Sequence, residues 1–146
     1  MLEDNKSIAR KVYEECWNKA MLELVGELYT KDCHFRDPVF PSLGSGADNY
    51  KRHIQMCRTA FPDLKFTVND VIAENDEVVV HWTAQGTQQG QFLGLAPSHR
   101  KMTVSGTSIY RIKSKKIVEQ WSDWNLLTML DQLGVATTPK ISVAAV

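Results

Sequence analysis

Apolar residues change their spacing at Pro62. Before it they recur at helical intervals: Ile8, Ala9, Val12, Cys16, Trp17 and Ala20 share one stripe, and Leu22, Leu24, Val25, Leu28 and Tyr29 form a shorter one. Tyr50, Ile54, Cys57 and Phe61 mark a third helix over 47–60, which Pro62 stops because a proline cannot continue the hydrogen-bond ladder. Asp4 or Asn5 is placed to cap the first helix. Beyond Pro62 the period drops to two. Leu64, Phe66 and Val68 alternate with polar residues, and β-rich runs follow over 78–87, 103–112 and 117–124. Leu126, Leu127, Leu130 and Leu133 return to helical spacing, and Gly134 suits the residue that ends a helix. Between the second and third helices, 33–36 reads as a short strand closed at Asp37-Pro38, since a residue before proline avoids helix. Helices segregated from consecutive strands imply an α+β domain with a mainly antiparallel sheet.

At 146 residues, with neither linker nor repeat, residues 1–146 are expected to form one domain. The tail over 136–146 shows no clear period and is expected to be loose or to pack on a neighbour. Seventeen basic residues balance seventeen acidic ones, so nothing builds the cationic face that a nucleic-acid partner requires. The densest basic run, Lys113-Ser-Lys-Lys116, lies between two strands and reads as a hairpin turn. No apolar run approaches the roughly 18 residues of a membrane span. The charged N-terminus lacks the apolar stretch of a secretory signal, and Cys16, Cys33 and Cys57 lack any C-x-x-C spacing. A cytoplasmic, reducing location is therefore expected.

Five segments occur here in a telling order: Phe61-Pro-Asp-Leu64; Val80-His-Trp-Thr-Ala-Gln-Gly-Thr87; Gly90-Gln-Phe-Leu-Gly94 with Pro97-Ser98; Lys116-Ile-Val-Glu-Gln-Trp121; and Asp131-Gln-Leu-Gly134. Through them the chain, over about 5–135, resembles the SnoaL-like polyketide cyclases, also called ester cyclases, of the NTF2-like (cystatin-like) superfamily. The resemblance implies a cone, a strongly curved sheet wrapped on helices with a deep pocket at its open end. It also implies a homodimer, and ring closure by aldol chemistry with no metal and no cofactor. An aspartate four residues beyond the family tryptophan is implied as the acid/base. Aligned on Trp121 and on Gln132-Leu-Gly134, that position is Asn125, and an amide does not titrate. Arg36 and Gln88 stand where the family often has histidine, and His99-Arg100 where it has Gly-Lys.

Strict alternation along the last strand puts Glu119, Trp121, Asp123 and Asn125 on one face, and Val118, Gln120, Ser122 and Trp124 on the other. Two carboxylates, an amide and an indole are costly in a plain core and suit a pocket wall. On that reading Asp123 or Glu119 supplies the base that Asn125 cannot, with Trp121 as an apolar platform. The plainer reading makes Glu119 and Asp123 part of a solvated face and Asn125 the N-cap of the following helix. His81 shares a strand face with Val79, Thr83 and Gln85. It would pair with a carboxylate if that face is inward, and is an ordinary surface histidine if not. His34, His53 and His99 show no metal-ligand spacing. Arg36 and Asp37 end a strand, where they either serve a turn or bind an anionic or carbonyl-bearing ligand. Phe92 belongs to a glycine-bounded loop suited to a pocket mouth, Trp17 is assigned to the core, and Cys33 and Cys57 are small buried hydrophobes.

Three functions fit these residues. The first is a cofactor-free cyclase or isomerase acting on a carbonyl-bearing small molecule by acid/base chemistry. A second is a non-catalytic NTF2-like ligand-binding or dimerising module, which Asn125 favours. The third is epoxide hydrolysis by a carboxylate–arginine–carboxylate set drawn from Asp37, Arg36 or Arg111, and Asp123.

Overall fold

The computed structural model describes residues 1–135, so the tail over 136–146 lies outside the described residues. The first apolar stripe winds helix α1 (Leu2–Lys11) and then one wider turn, Val12–Trp17, whose hydrogen bonds reach one residue further. The Asn18 amide, for example, donates to the Tyr13 carbonyl at 3.0 Å. Such a wide turn fits one extra residue into the helix, and here Val12, Tyr13, Cys16 and Trp17 are all buried. Ala20, expected on the helical stripe, instead adopts φ of 52° and breaks the helix before α2 (Leu22–Leu28). Tyr29 likewise leaves the second stripe. It is already extended and opens strand β1 (Tyr29–Arg36), four residues earlier than its alternation indicates. Helix α3 (Ala47–Ala60) buries Tyr50, His53, Ile54 and Cys57 along one side, at the spacing of a helix face, and ends before Pro62.

Strands β2 (Lys65–Glu74), β3 (Glu77–Thr87), β4 (Lys101–Lys113) and β5 (Lys116–Trp124) form an antiparallel meander. Strand β1 adds to its far edge, parallel to β5, so the five-stranded sheet is mixed and open, in the order β1-β5-β4-β3-β2. The basic run is the β4–β5 hairpin turn, with Ser114 and Lys115 both at positive φ, as a tight two-residue hairpin demands. Helix α4 (Leu126–Gln132) follows, with Gly134 at φ of 78° beyond its end. None of the described helices is long and apolar enough to cross a membrane.

One face of the sheet is the core face. Val78, Val80, Trp82 and Ala84 of β3 and Met102, Val104, Ser108, Tyr110 and Ile112 of β4 are buried there in strict alternation. Strand β5 breaks the pattern. Ile112 pairs with Ile117, but Arg111 pairs with Glu119, so Val118 is an extra residue on β5, a β-bulge. A one-residue slip exchanges the two faces of a strand. Ile117 points inward before the bulge, and Gln120 and Ser122 are the buried residues after it.

Candidate functional site

The bulge decides which side chains meet the interior. The expectation that Glu119, Trp121, Asp123 and Asn125 form a pocket wall is corrected: none of the four lines the cavity, and Gln120, Ser122 and Trp124 do. The two faces divide as strict alternation predicts over 119–124, but beyond the bulge it is the charged set that turns outward. On the outer face, Arg111 lies 3.7 Å from Glu119, 3.8 Å from Glu77 and 4.0 Å from Asp76, and its guanidinium stands 5.6 Å over the Trp121 ring. Asp123 is exposed opposite Thr107. Asn125 is the N-cap of α4, its Oδ1 accepting the Thr128 amide at 3.0 Å. His81 is exposed and pairs through Nδ1 with Asp70 at 3.2 Å, so it does not reach the cavity either.

The cavity lies between the inner sheet face and the helices, enclosing about 740 Å³ of empty space with its mouth included. Its walls are aromatic: Tyr13 and Trp17 from the wide turn, Phe35, Phe40, Tyr50, Phe61, Phe66, Trp82, Phe92 and Trp124. Two glycines make room for this. A Cβ on Gly106 would fall 2.6 Å from Trp82 Cη2 and 2.7 Å from Trp124 Cβ, so only glycine allows both indoles to pack across β4. A Cβ on Gly90 would come within 2.9 Å of the Thr59 carbonyl, so glycine lets the 88–100 loop sit against α3. Gln88, fully buried, staples that loop through the Gly90 and Leu95 carbonyls and the Ser98 amide, and Phe92 is held against the cavity.

Of the residues assigned from sequence to ligand binding, Arg36, Asp37 and Phe92 line this cavity and Trp121 does not. Asp37 is the only carboxylate among the lining residues. Its Oδ2 accepts the Trp124 indole N–H at 3.3 Å, and its Oδ1 accepts the Val39 amide at 2.9 Å. Burial raises its carboxyl above the ordinary aspartate value, the Val39, Trp124 and Phe40 hydrogen bonds partly offset that, and the negative charge of Asp123 adds to the rise. Arg36 is largely exposed at the rim, 3.9 Å from Glu119. Arg111 and Asp123 belong to the outer face, so a carboxylate–arginine–carboxylate set is not gathered around the cavity.

His53 was not singled out from the sequence, and the structure puts it in the wall. It sits three residues past Tyr50 on the buried face of α3, only 9% exposed, with Phe40 edge-on at 4.6 Å and Trp17 at 5.8 Å. Burial among rings pushes its pKa down to about 4, so the imidazole is neutral at pH 7. The available signal was its i+3 position after Tyr50 in an otherwise apolar stripe. Trp17, assigned to the core, also faces the cavity. Cys16, Cys33 and Cys57 are buried free thiols whose pKa burial pushes up to about 12, which leaves them unionised. No group of three or more His, Cys, Asp or Glu side chains suited to a metal ion is gathered among the described residues.

The deepest polar residues form one uncharged network. Tyr29 donates to Gln120 Oε1 at 2.6 Å, and Gln120 Nε2 donates to Tyr50 Oη and to Ser122 Oγ, each at 3.3 Å. The Trp17 indole donates to Tyr50 at 3.0 Å, and that of Trp82 to Ser108 at 3.0 Å. Ser108 and Ser122, directly paired across β4 and β5, have hydroxyls 2.8 Å apart. Tyr110 donates to Tyr13 at 2.5 Å.

The family model described as SnoaL-like polyketide cyclase matches residues 7–133. Among solved structures, TsrD from Streptomyces laurentii superposes with a TM-score of 0.82 at 22% identity, over 92% of this chain and 97% of its own. AclR from Streptomyces galilaeus, described as a candidate hydroxylase, superposes with a TM-score of 0.81 at 22% identity, over 99% and 93%. IdmH from Streptomyces antibioticus, described as a candidate polyketide cyclase, is 27% identical, with a TM-score of 0.77 over 90% of this chain and 99% of its own. No curated protein matches the chain significantly. The fold is that of the NTF2-like SnoaL proteins.

Proposed function

We propose, from the premise that the chain belongs to the SnoaL-like polyketide cyclase family, that the cavity binds a carbonyl-bearing small molecule and that Asp37 removes a proton from the carbon beside its carbonyl. The carbanion so formed would serve ring closure or isomerisation. The observation that carries this reading is the position of Asp37, the one lining carboxylate, with its basicity raised by burial. A base works best when its pKa approaches the operating pH, and partial desolvation moves a carboxylate that way. Trp124 and Val39 fix its orientation from one side, and the neutral His53 adds no competing charge. The resemblance to IdmH, at 27% identity, points the same way.

The test uses 2-tetralone, a bicyclic ketone with an activated benzylic methylene, in deuterium oxide. Exchange at its C1 position, followed by NMR above the buffer background, should fall by about 10²–10⁴-fold in Asp37→Asn, the usual worth of a general base. Because the folded carboxyl is shifted upward, the acid limb of the wild-type profile should lie above the ordinary aspartate value. Exchange unchanged in Asp37→Asn would exclude this base. One observation favours a second reading, a binding module without chemistry: the position where the resemblance implies an acid/base is an amide, Asn125, used as a helix cap. Saturable binding of 2-tetralone with no exchange in the wild type would decide for it.

A further inference from the structure

Helix α3 carries two stripes of side chains, and they meet at His53. Tyr50, His53, Ile54 and Cys57 make the buried one. Asn49, Arg52, His53 and Met56, spaced three or four residues apart, make a second stripe beside it, and together with the loop over 39–43 they line an open groove. Phe40, Leu43 and His53 line the cavity as well, so cavity and groove share one wall made of three side chains. That wall is not wholly apolar. His53 Nε2 lies 3.9 Å from Cys57 Sγ, and Nδ1 has no hydrogen-bond partner among the described residues.

Arg52 is exposed and is the only charged side chain lining the groove. Its neighbour Lys51 pairs with Asp48 at 3.7 Å, whereas Arg52 has no carboxylate partner among the described residues. Its guanidinium donates instead to the Asn49 side-chain oxygen, less than a turn back, a neutral partner that fixes its place without neutralising it. Asn49 is in turn tied to the loop, its Nδ2 donating to the Ser45 carbonyl at 2.6 Å. Gly44, at φ of 83°, permits that approach, because a Cβ there would fall 2.8 Å from Asn49 Nδ2. The rest of the groove is largely carbon, with Val39, Pro41 and the exposed Met56. A carbon surface with one fixed, unneutralised guanidinium suits an alkyl chain that ends in an anion.

From this we infer that the ligand has two parts, a ring body in the cavity and an aliphatic arm that crosses the shared wall beside His53 and ends in a carboxylate against Arg52. The inference rests on the reading of the cavity as a ligand site and deepens it by naming a substituent, and it is independent of whether Asp37 acts as a base. A rotamer change of Phe40 or Leu43, both half-buried side chains of a loop, opens the wall to the arm. Electrostatics then sets the arm's length. Inside the cavity a carboxylate would lose its water and face the negative charge of Asp37, so an anion held close to the ring body is disfavoured. In the groove it keeps part of its hydration and meets a cation. The sign of the carboxylate's contribution therefore reverses as the arm lengthens. Arg36, the other cation near the cavity, is already 3.9 Å from Glu119, which leaves Arg52 as the uncommitted one.

The experiment titrates the protein, by calorimetry, with two matched pairs of carboxylate and primary carboxamide. One pair, 2-naphthoate and 2-naphthamide, has no arm, and the other, 5-(2-naphthyl)pentanoate and its amide, has a long one. Without an arm the amide should bind more tightly. With the long arm the carboxylate should bind about two- to fivefold more tightly than its amide, the worth of one partly exposed ion pair. That advantage should shrink as salt is raised. Arg52→Gln should erase it, and Arg36→Gln should keep it. Equal affinities in the long-arm pair, a long-arm preference for the amide, or a carboxylate preference that survives Arg52→Gln would overturn the inference. Binding and exchange of 2-tetralone, which has no arm, separate it from the reading beneath it. Tetralone bound and exchanged, with no carboxylate preference in the long-arm pair, removes the groove alone, and failure of tetralone and all four naphthalenes to bind removes both. A long-arm preference that depends on Arg52, with no exchange of tetralone, supports the groove and sinks the base.

Discussion

Lowering the pH from 7 to 5 puts a proton on His53 in the unfolded chain but not in the folded one. Unfolded, the imidazole titrates at its ordinary value of 6.5, and in the fold burial holds it down to about 4. The sign follows from proton counting. Between those two values the unfolded state binds more protons, so stability falls as the pH falls. The contribution is complete above pH 6.5, declines through the window, and is exhausted below about 4. Linkage over that window gives a loss of about 2 kcal/mol by pH 5 and about 3 kcal/mol in all, at 1.36 kcal/mol per unit. Against a typical domain stability of roughly 5–15 kcal/mol, that is large enough to measure. Asp37 acts in the opposite direction, because its raised carboxyl takes up a proton more readily in the fold, so the comparison must isolate His53. His53→Phe keeps an aromatic ring among Phe40, Trp17 and Tyr50 and removes the titration. Urea denaturation followed by tryptophan fluorescence, repeated from pH 7 to 4.5, should show the wild type losing stability relative to the variant. Parallel pH dependences for the two proteins would refute a neutral, desolvated His53.

Asn125→Ala should cost about 1 kcal/mol, the usual worth of an N-cap, seen as a lower Tm, while tetralone affinity stays at the wild-type value. A loss of exchange with no loss of stability would return Asn125 to the site. Gly106→Ala should destabilise by about 1–3 kcal/mol or more by denaturant titration, since the new methyl must displace both Trp82 and Trp124. Its tetralone exchange should fall as well, because Trp124 orients Asp37, and a stable, fully active variant would contradict that packing. Glu119→Gln and Asp123→Asn should leave exchange within a few-fold of the wild-type rate, with Asp123→Asn changing stability by about 0.5 kcal/mol or less and Glu119→Gln by about 1 kcal/mol through its pairs with Arg111 and Arg36. A strong loss of exchange in either would show that the outer face takes part in the chemistry.

The change of period at Pro62 made the fold legible, because it separates residues that need a helix stripe from residues that need a sheet face. The four meander strands and helices α3 and α4 follow from it directly. What escaped was anything set by a single inserted residue. The extra residue of the wide turn at Val12–Trp17 leaves the apolar stripe intact, so nothing in the spacing announces it. At Val118 the bulge has no sequence mark, and alternation alone separates Glu119, Trp121 and Asp123 from Gln120, Ser122 and Trp124 without telling which set turns to the cavity. Asp37 was in view beside Pro38, but its indole partner is 87 residues away, and no local pattern reports a contact of that range. His53 was judged by metal-ligand spacing, whereas its helix face would have shown it beside Tyr50.

The bulge at Val118 also has an evolutionary consequence. Faces of a strand normally change one codon at a time, each substitution tested against the existing core. Here two finished sets of side chains occupy one strand, a neutral hydrogen-bonding set inside and a charged, indole-bearing set outside, and the unpaired Val118 absorbs one codon without disturbing either. A lineage that lost Val118 would leave Ile112–Ile117 and Arg111–Glu119 as adjacent pairs and keep Gln120, Ser122 and Trp124 inward. Position 118 is therefore a place where the strand can change length by one residue within such a family while the pocket keeps its chemistry.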